Sequence, residues 1–419
     1  MATKSALILG GGIVGLACAL RLQQRGFSCT MVYPNDERIS PSLGNAGHLA
    51  VEQSEPLSSM RTLREAPRRL FAFGGALDLP LRDVGAWAEF AVRFVASSAS
   101  GAFGEGRSAL EAWLAEAMAS WRRLARDVGE ERLLAADGHF LIWESETSAA
   151  RGKTAWARRR APNSAFRAAG QSELDALRRL VAAPIVDAVR FEHSGQIRDL
   201  AAMCDAIARA FETSGGARIV GRADRLVTQN GRAAVGIKDG TRLEADLVLV
   251  AAGIESGALL AGAGHRVPII AERGYHIESV GGDWPQALPP VVFEDRSLVV
   301  TRFLKTLRLT SFVEFSRLDA PPDRRKWRRL RRHAAELGLP LDEPIKEWMG
   351  ARPTLPDYRP AIGRSTRAGN LLYAFGHQHL GLTLAPITAE VIAELACDRT
   401  PALDVARFDL SRFNGQGRR

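Results

Sequence analysis

Cysteine is scarce. Cys18, Cys29, Cys204 and Cys397 are the four in 419 residues, and no two stand at C-x-x-C spacing. That argues against a disulfide framework and against a thiolate-built zinc or redox site, so no metal is expected and a reducing cytoplasm fits. Long apolar runs are missing too. Residues 6–20 come nearest, but they are too short to cross a bilayer, carry four glycines and lack the small-x-small cleavage site of a signal peptide. There is no internal repeat and no low-complexity linker.

What is present is a balanced chain, 46% hydrophobic and 25% charged, which reads as a globular protein in water; its length exceeds one ordinary core, so two connected domains are expected. The formal charge is +9, with much of the excess in Arg324, Arg325, Lys326, Arg328, Arg329, Arg331 and Arg332, interrupted by Trp327 and Leu330. Such a run is usually the solvated face of an exposed helix. It also leaves room for peripheral contact with an anionic membrane through residues 324–332. Nucleic acid is not expected, because no aromatic platform beyond Trp327 is interleaved with the run.

The chain opens as strand, tight turn, helix, strand: an apolar run at 7–9, helical spacing over 13–24, and strand formers at 28–32. An amphipathic stretch follows through Trp87, Phe90 and Phe94, and a helix is expected over 110–128. Asp199 can cap a helix reaching about Thr213, with strands expected at 217–220, 232–238 and 246–250. The last of these is nearly all aliphatic and therefore suited to burial on both faces. Several strands are expected between 291 and 315, and a helix over 383–396 closes the chain.

Gly10, Gly12 and Gly15 stand in G-x-G-x-x-G spacing between the first strand and its helix. In that setting the first glycine allows the turn, the second lets backbone approach a diphosphate, and the third lets helix and strand pack closely. The phosphates then meet the positive end of the helix at Ile13 and Val14. The acidic residue that usually closes the second strand and holds the adenosine ribose is absent. By count that position is Tyr33, with Asn35, Asp36, Glu37 and Arg38 just behind it.

The other end of the chain separates a flavin from a nicotinamide. Gly376, His377, Gln378, His379, Leu380, Gly381, Leu382 and Thr383 place two glycines and two histidines before a helix whose N-terminus could stabilise negative charge on a reduced flavin. The strand ending at Ala252 and Gly253 offers small residues where a cofactor approaches.

Together with Ser42-Leu43-Gly44-Asn45-Ala46-Gly47-His48, Glu272-Arg273-Gly274-Tyr275-His276 and the block GARPTLPDYRPAIG at 350–363, these marks resemble the group of D-amino acid oxidases, glycine oxidases and D-amino acid dehydrogenases. The resemblance covers nearly the whole chain. It implies non-covalent FAD along Gly44, Asn45, Ala46, Gly47 and His48 and along residues 376–383, and neither loop contains a cysteine for a covalent link. It implies a Rossmann-like FAD-binding domain (1–60, 192–264 and 350–415) interleaved with an α+β substrate domain carrying a mixed or antiparallel sheet (61–191 and 265–349).

The reaction it implies is hydride removal from the α-carbon of a small D-amino or imino acid, giving an imine that is later hydrolysed to the keto acid. A secondary amine, such as sarcosine or a proline derivative, is the alternative substrate. An FAD protein docking RNA or membrane through its basic helix is the alternative of another class. Such chemistry needs a guanidinium for the carboxylate and tight positioning more than a strong base. Arg302 is similar in placement to the family's carboxylate-binding arginine, Tyr275 is a hydroxyl donor to the same group, and Arg352 could face the flavin or the substrate. His48, His377 and His379 lie in the flavin-facing loops, with His48 taken as the proton acceptor; a histidine bonded to hold a loop is the plainer use. The electron acceptor, oxygen or a quinone or a protein, is not encoded in any motif. A cytoplasmic enzyme, touching at most the inner face of the membrane, is expected.

Overall fold

The computed structural model of the chain describes residues 3–34, 40–159 and 162–413. β1 (Ser5–Leu9), α1 (Ile13–Gln24) and β2 (Ser28–Tyr33) form the opening unit. β1 lacks hydrophobic alternation because both its faces are covered: Ala6 and Ile8 join the core beneath α1, while Leu7 and Leu9 join the core on the opposite face. The sheet runs Ala217–Val220, β2, β1, Leu247–Val250, Leu371–Phe375, Ala361–Arg364, parallel except for its last strand. On one face lie α1 and the helices Leu200–Thr213 and Gly381–Ala396; on the other, a three-stranded antiparallel sheet (Ala223–Gln229, Arg232–Ile237, Arg242–Glu244) supplies Leu226, Val235 and Ile237 to the core.

A second, mostly antiparallel sheet follows the order Lys346–Thr354, Ile270–Ser279, Leu307–Ser316, Leu298–Arg302, Val291–Phe293, His139–Trp143, Asp187–Phe191, Phe166–Ala168. One of its faces carries the helix Arg324–Leu337 on Leu330, Ala334 and Leu337. The opposite face looks toward the first sheet across a cavity.

Several boundaries move. The helix expected at 110–128 begins ten residues earlier, as Ser100–Asp127. Asp199 caps Leu200–Thr213 as read, accepting from the Ala202 N–H at 2.9 Å. Gly350 lies inside the strand Lys346–Thr354, so a division of the chain at 350 would cut a strand of the second sheet. Residues 378–396 are also long and apolar enough to be mistaken for a membrane span, but about 72% of that stretch is buried inside the protein.

The basic run is more than a solvated face. Lys326 is fully buried, its Nζ 2.6 Å from Asp78, 2.7 Å from Glu314 and 3.3 Å from Asp323. Arg329 donates to the carbonyls of Phe71 and Gly75, and Arg331 pairs with Glu343 and Glu347. A helix this basic stays docked because the acidic groups beneath it are buried and need partners. Lys326→Met should therefore destabilise the protein by about 3–5 kcal/mol, since it removes the buried cation that Asp78, Glu314 and Asp323 share. Urea unfolding followed by tryptophan fluorescence would read this, and a loss under about 1 kcal/mol would show that the network is dispensable.

Candidate active site

Three backbone segments meet at the turn after β1. Gly10 has φ +118°, and a Cβ there would lie 2.3 Å from the Ala251 carbonyl oxygen. A Cβ on Gly15 would lie 2.0 Å from the Gly10 oxygen. Gly12 differs. Its backbone is extended, and a Cβ would meet only the Ser42 hydroxyl, at 3.3 Å. Gly12 is the N-cap of α1; Ser42 Oγ takes the Ile13 N–H at 3.0 Å, and the other first-turn N–H groups have no partner within the helix. No acidic side chain stands in that turn.

From here a cavity of about 1020 Å³ runs between the two sheets. It is lined by Gly10, Gly12, Ile13, Val14 and Tyr33, then by Gly44, Asn45, Ala46 and His48, then by Ala252, Gly253, Arg352, Gly376, His377, His379, Gly381 and Leu382. The glycine turn and the histidine loop thus share one space. A cleft that starts at an unblocked helix N-terminus, with glycine where a side chain would intrude, fits a dinucleotide such as FAD.

Six residues of the expected site lie outside the lining, Arg302 and five others. Gly15 and Gly47 act through close packing, the latter with φ +74° and a Cβ position 2.7 Å from the Phe303 ring. Leu380 is core. The Thr383 hydroxyl accepts the Ala50 N–H at 3.0 Å, tying the helix Gly381–Ala396 to the 44–50 loop. Tyr275 is wholly buried on the outer face of its strand, donating to Glu314 at 2.7 Å and stacking edge-on to Trp327. The alternation along Ile270–Ser279 explains the miss: Glu272 and Gly274 face the cavity, so Tyr275 faces the helix.

Arg302 is a correction for the same reason. Val299 lines the cavity and Val300 joins the core on the far side, so Arg302, on the Val300 side, leads away from it. Its Nε donates to Gln286 at 3.0 Å and its guanidinium rests against Gly281. Arg352, by contrast, lines the cavity. Its Nη1 is 3.0 Å from Glu272 Oε1 and 3.2 Å from the Phe312 carbonyl, while Nη2 lies over Gly274, where a Cβ would come within 2.2 Å. Glu272 is held in turn by the hydroxyls of Thr354 (3.0 Å) and Tyr358 (2.9 Å).

The histidines are kept neutral. Burial, with the charge of His379, brings His48 down to about 4. Burial alone brings His377 to about 3, and burial, opposed by Glu272 and helped by Arg352, brings His379 to about 4. His377 Nε2 is 3.1 Å from Thr388 Oγ1, the loop-holding use weighed above. Glu52 goes the other way: burial raises its carboxyl to about 7.

At the adenosine end Tyr33 packs beneath Arg218, whose guanidinium lies 4.5 Å from the ring centroid. Asn35, Asp36, Glu37 and Arg38 lie outside the described residues. Glu255 and its partner Arg222 also line this end, and the sequence pattern gave no sign of them. Glu52 and His139 were likewise missed, because each reaches the cavity through tertiary packing and belongs to no motif of its own, and Glu272 stood in the 272–276 motif without a role. Ser42 stood inside a quoted motif without a role.

A histidine held neutral in the fold takes up a proton on unfolding. The stability it supports is present above its ordinary value near 6.5 and is lost as pH falls toward 4. Glu52, with its raised carboxyl, contributes most at low pH and loses that contribution as pH rises from about 4.5 to about 7. Glu52→Gln should therefore make the fall in Tm between pH 7 and pH 5 steeper than in the parent. Equal slopes in thermal melts across that range would refute the assignment.

The sequence profile of the family described as FAD dependent oxidoreductase matches residues 5–395. The chain is 27% identical over 416 residues to a D-amino-acid oxidase of Bradyrhizobium diazoefficiens, covering 97% of this chain and 98% of that protein. It is 29% identical over 409 residues to D-amino acid dehydrogenase 2 of Pseudomonas aeruginosa, covering 95% and 96% respectively. The fold superposes on a glycine oxidase structure from Geobacillus kaustophilus with a TM-score of 0.73 at 17% identity, over 98% of this chain and 99% of that one.

Proposed function

The chain belongs to the family of FAD dependent oxidoreductases, and from that premise we propose that it removes hydride from the α-carbon of a small D-amino or imino acid, leaving an imine that water hydrolyses to the keto acid. The observation that carries the reading is the guanidinium of Arg352, fixed by Glu272 in the wall of a cavity that also touches the glycine turn and the histidine loop.

Arg352 comes to the substrate already paired, so it costs little to keep buried, and Nη2 remains beside Gly274 for a carboxylate. Gly274 has to be glycine: a side chain there would occupy the position of the guanidinium. His379, unprotonated at neutral pH, offers an acceptor for an amine N–H and does not repel an incoming ammonium. The apolar helix Val84–Ser97 lines the cavity through Trp87, Phe90 and Phe94, excluding water and strengthening the contact at Arg352. When bound, FAD supplies the hydride acceptor, with the substrate α-carbon set against it. Residues 376–383 and the first turn of Gly381–Ala396 would hold its ring end, and residues 10–14 with Tyr33 its diphosphate and adenosine end.

The expected outcome is a yellow protein that D-amino acids or N-substituted glycines bleach under anaerobic conditions. Arg352→Ala should raise KM by about 10- to 100-fold, the loss of a charge-assisted hydrogen-bonded pair. Arg302→Ala should leave it within about threefold, with flavin content unchanged in both. A collapse in Arg302→Ala with Arg352→Ala unaffected would reverse the assignment.

A second observation bears on the electron acceptor. Phe73 is 75% exposed and Leu81 84% exposed, and Phe73 follows Phe71 and Ala72, which share a shallow hollow with Arg325, Arg328, Arg329 and Arg332. An apolar tip ringed by arginines suits an anionic bilayer, where a quinone would be at hand. Cosedimentation with phosphatidylglycerol vesicles, lost in Phe73→Ser and absent with phosphatidylcholine, would support that contact; no cosedimentation would leave oxygen or a soluble acceptor.

A further inference from the structure

One group of polar side chains in the cavity has no part in the chemistry above. His48, Glu52 and His139 come from three separate segments: the short strand His48–Leu49, the turn after it, and the first residue of His139–Trp143. His48 Nε2 is 3.8 Å from Glu52 Oε2, His139 Nε2 is 4.0 Å from Glu52 Oε1, and all three ligand atoms lie within 4.8 Å of one another. Both Glu52 oxygens and His48 Nε2 are buried without a hydrogen-bond partner. All three residues line the cavity.

The cluster is held in place. His139 Nδ1 is 2.7 Å from Ser194 Oγ, a hydroxyl able to accept the imidazole proton and leave Nε2 with its lone pair facing inward. The ring stacks on Phe191 at 4.7 Å and 1°, and the His48 ring lies 4.3 Å from it. Three convergent acceptors, buried and unsatisfied, carry a standing cost that a donor-rich ligand would remove.

Spacing separates the two kinds of ligand that could do so. A zinc-like ion about 2.1 Å from each atom would need angles opened to roughly 130–145° to span the observed separations, far from tetrahedral. A nitrogen about 2.8 Å from each spans them at roughly 85–90°, within reach of its N–H directions. Charge agrees. Glu52 and Glu294 are two buried carboxyls lining the same cavity, both pushed up by burial and so favoured in their charged form by an incoming cation, and the nearby Arg159 is already paired with Glu55 and stacked on Trp156.

The strand bearing Arg352 and the strand bearing His139 are separated by four others in the sheet, so the two residues meet one cavity at different places. We propose that His48, Glu52 and His139 form a receptor for a second, protonated nitrogen of the substrate, so that the preferred amino or imino acid carries a cationic group far from its α-carbon. This rests on the reaction proposed above and names the substrate class it acts on.

The test compares anaerobic flavin reduction by D-lysine and D-arginine with that by D-norleucine, an apolar chain of similar length, and measures 1,5-diaminopentane binding to the holoenzyme by calorimetry and flavin absorbance. A basic-over-apolar ratio of kcat/KM of tenfold or more, falling to near one in Glu52→Gln and in His139→Asn, with diaminopentane binding weakened at least tenfold in both, is the expected result. A ratio near one in the parent, or diaminopentane binding unchanged by either substitution, overturns the receptor. So does a stoichiometric metal in the purified holoenzyme that is lost in Glu52→Gln. If no amino acid bleaches the flavin, the reaction reading falls, while diaminopentane binding still decides the receptor.

Discussion

The contact of the Gly15 Cα with the Gly10 carbonyl fixes how near α1 lies to its sheet. With room for no side chain at either position, the helix sinks onto β1 and the strand Leu247–Val250, and its N-terminus opens directly above the ends of the parallel strands. Everything downstream in the cavity takes its position from there. Ser42 reaches the first turn because the turn is where it is, and the 44–50 loop continues from Ser42 to the helix Gly381–Ala396 through the Thr383 hydroxyl. A helix set farther out would leave the glycine turn and the histidine loop in separate hollows.

The second sheet solves a different problem, that of keeping charge in the interior. Its two faces each hold buried ion pairs, and they differ in how completely those pairs are closed. On the outer face Lys326 meets Asp78, Glu314 and Asp323, with Arg273 and Tyr275 beside Glu314, and Lys326, Arg273 and Glu314 have no surface open to a ligand. On the inner face Arg352 meets only Glu272 and one carbonyl, and keeps a nitrogen on the cavity side. A closed network holds an element in place, whereas an incompletely closed one can gain from a substrate carboxylate.

Much of the first sheet was legible in the chain. The glycine spacing, the aliphatic run before Gly253 and the capping Asp199 are local signals, and each places a local element. The second sheet was harder to read for one repeated reason. A strand presents alternate residues to opposite faces, and which set faces the cavity is decided by what packs outside, which no local window contains. Arg302 and Tyr275 were each assigned to the wrong side by that ambiguity, and Arg352 was left between two roles although it stands in the most specific block of the sequence. Glu52 and His139 could not be paired at all, since 86 intervening residues and two sheets separate positions that the fold brings within 4.0 Å.

The neutrality of the histidines follows from the same geometry. A cavity enclosed by Trp87, Phe90 and Phe94 on one side and two sheets on the other removes the water that would solvate an imidazolium, and the carboxylates placed in it are either paired, as Glu272 is, or pushed toward protonation, as Glu52 is. Uncompensated charge is therefore kept low along the whole cleft until a ligand brings its own. Arg352 offers a hydrogen-bond fork to a carboxylate, and His48, Glu52 and His139, elsewhere in the cavity, offer acceptors to a cation. A zwitterion with an added positive group would meet both sites without either having to carry net charge beforehand, which is how a site this dry can remain folded between turnovers.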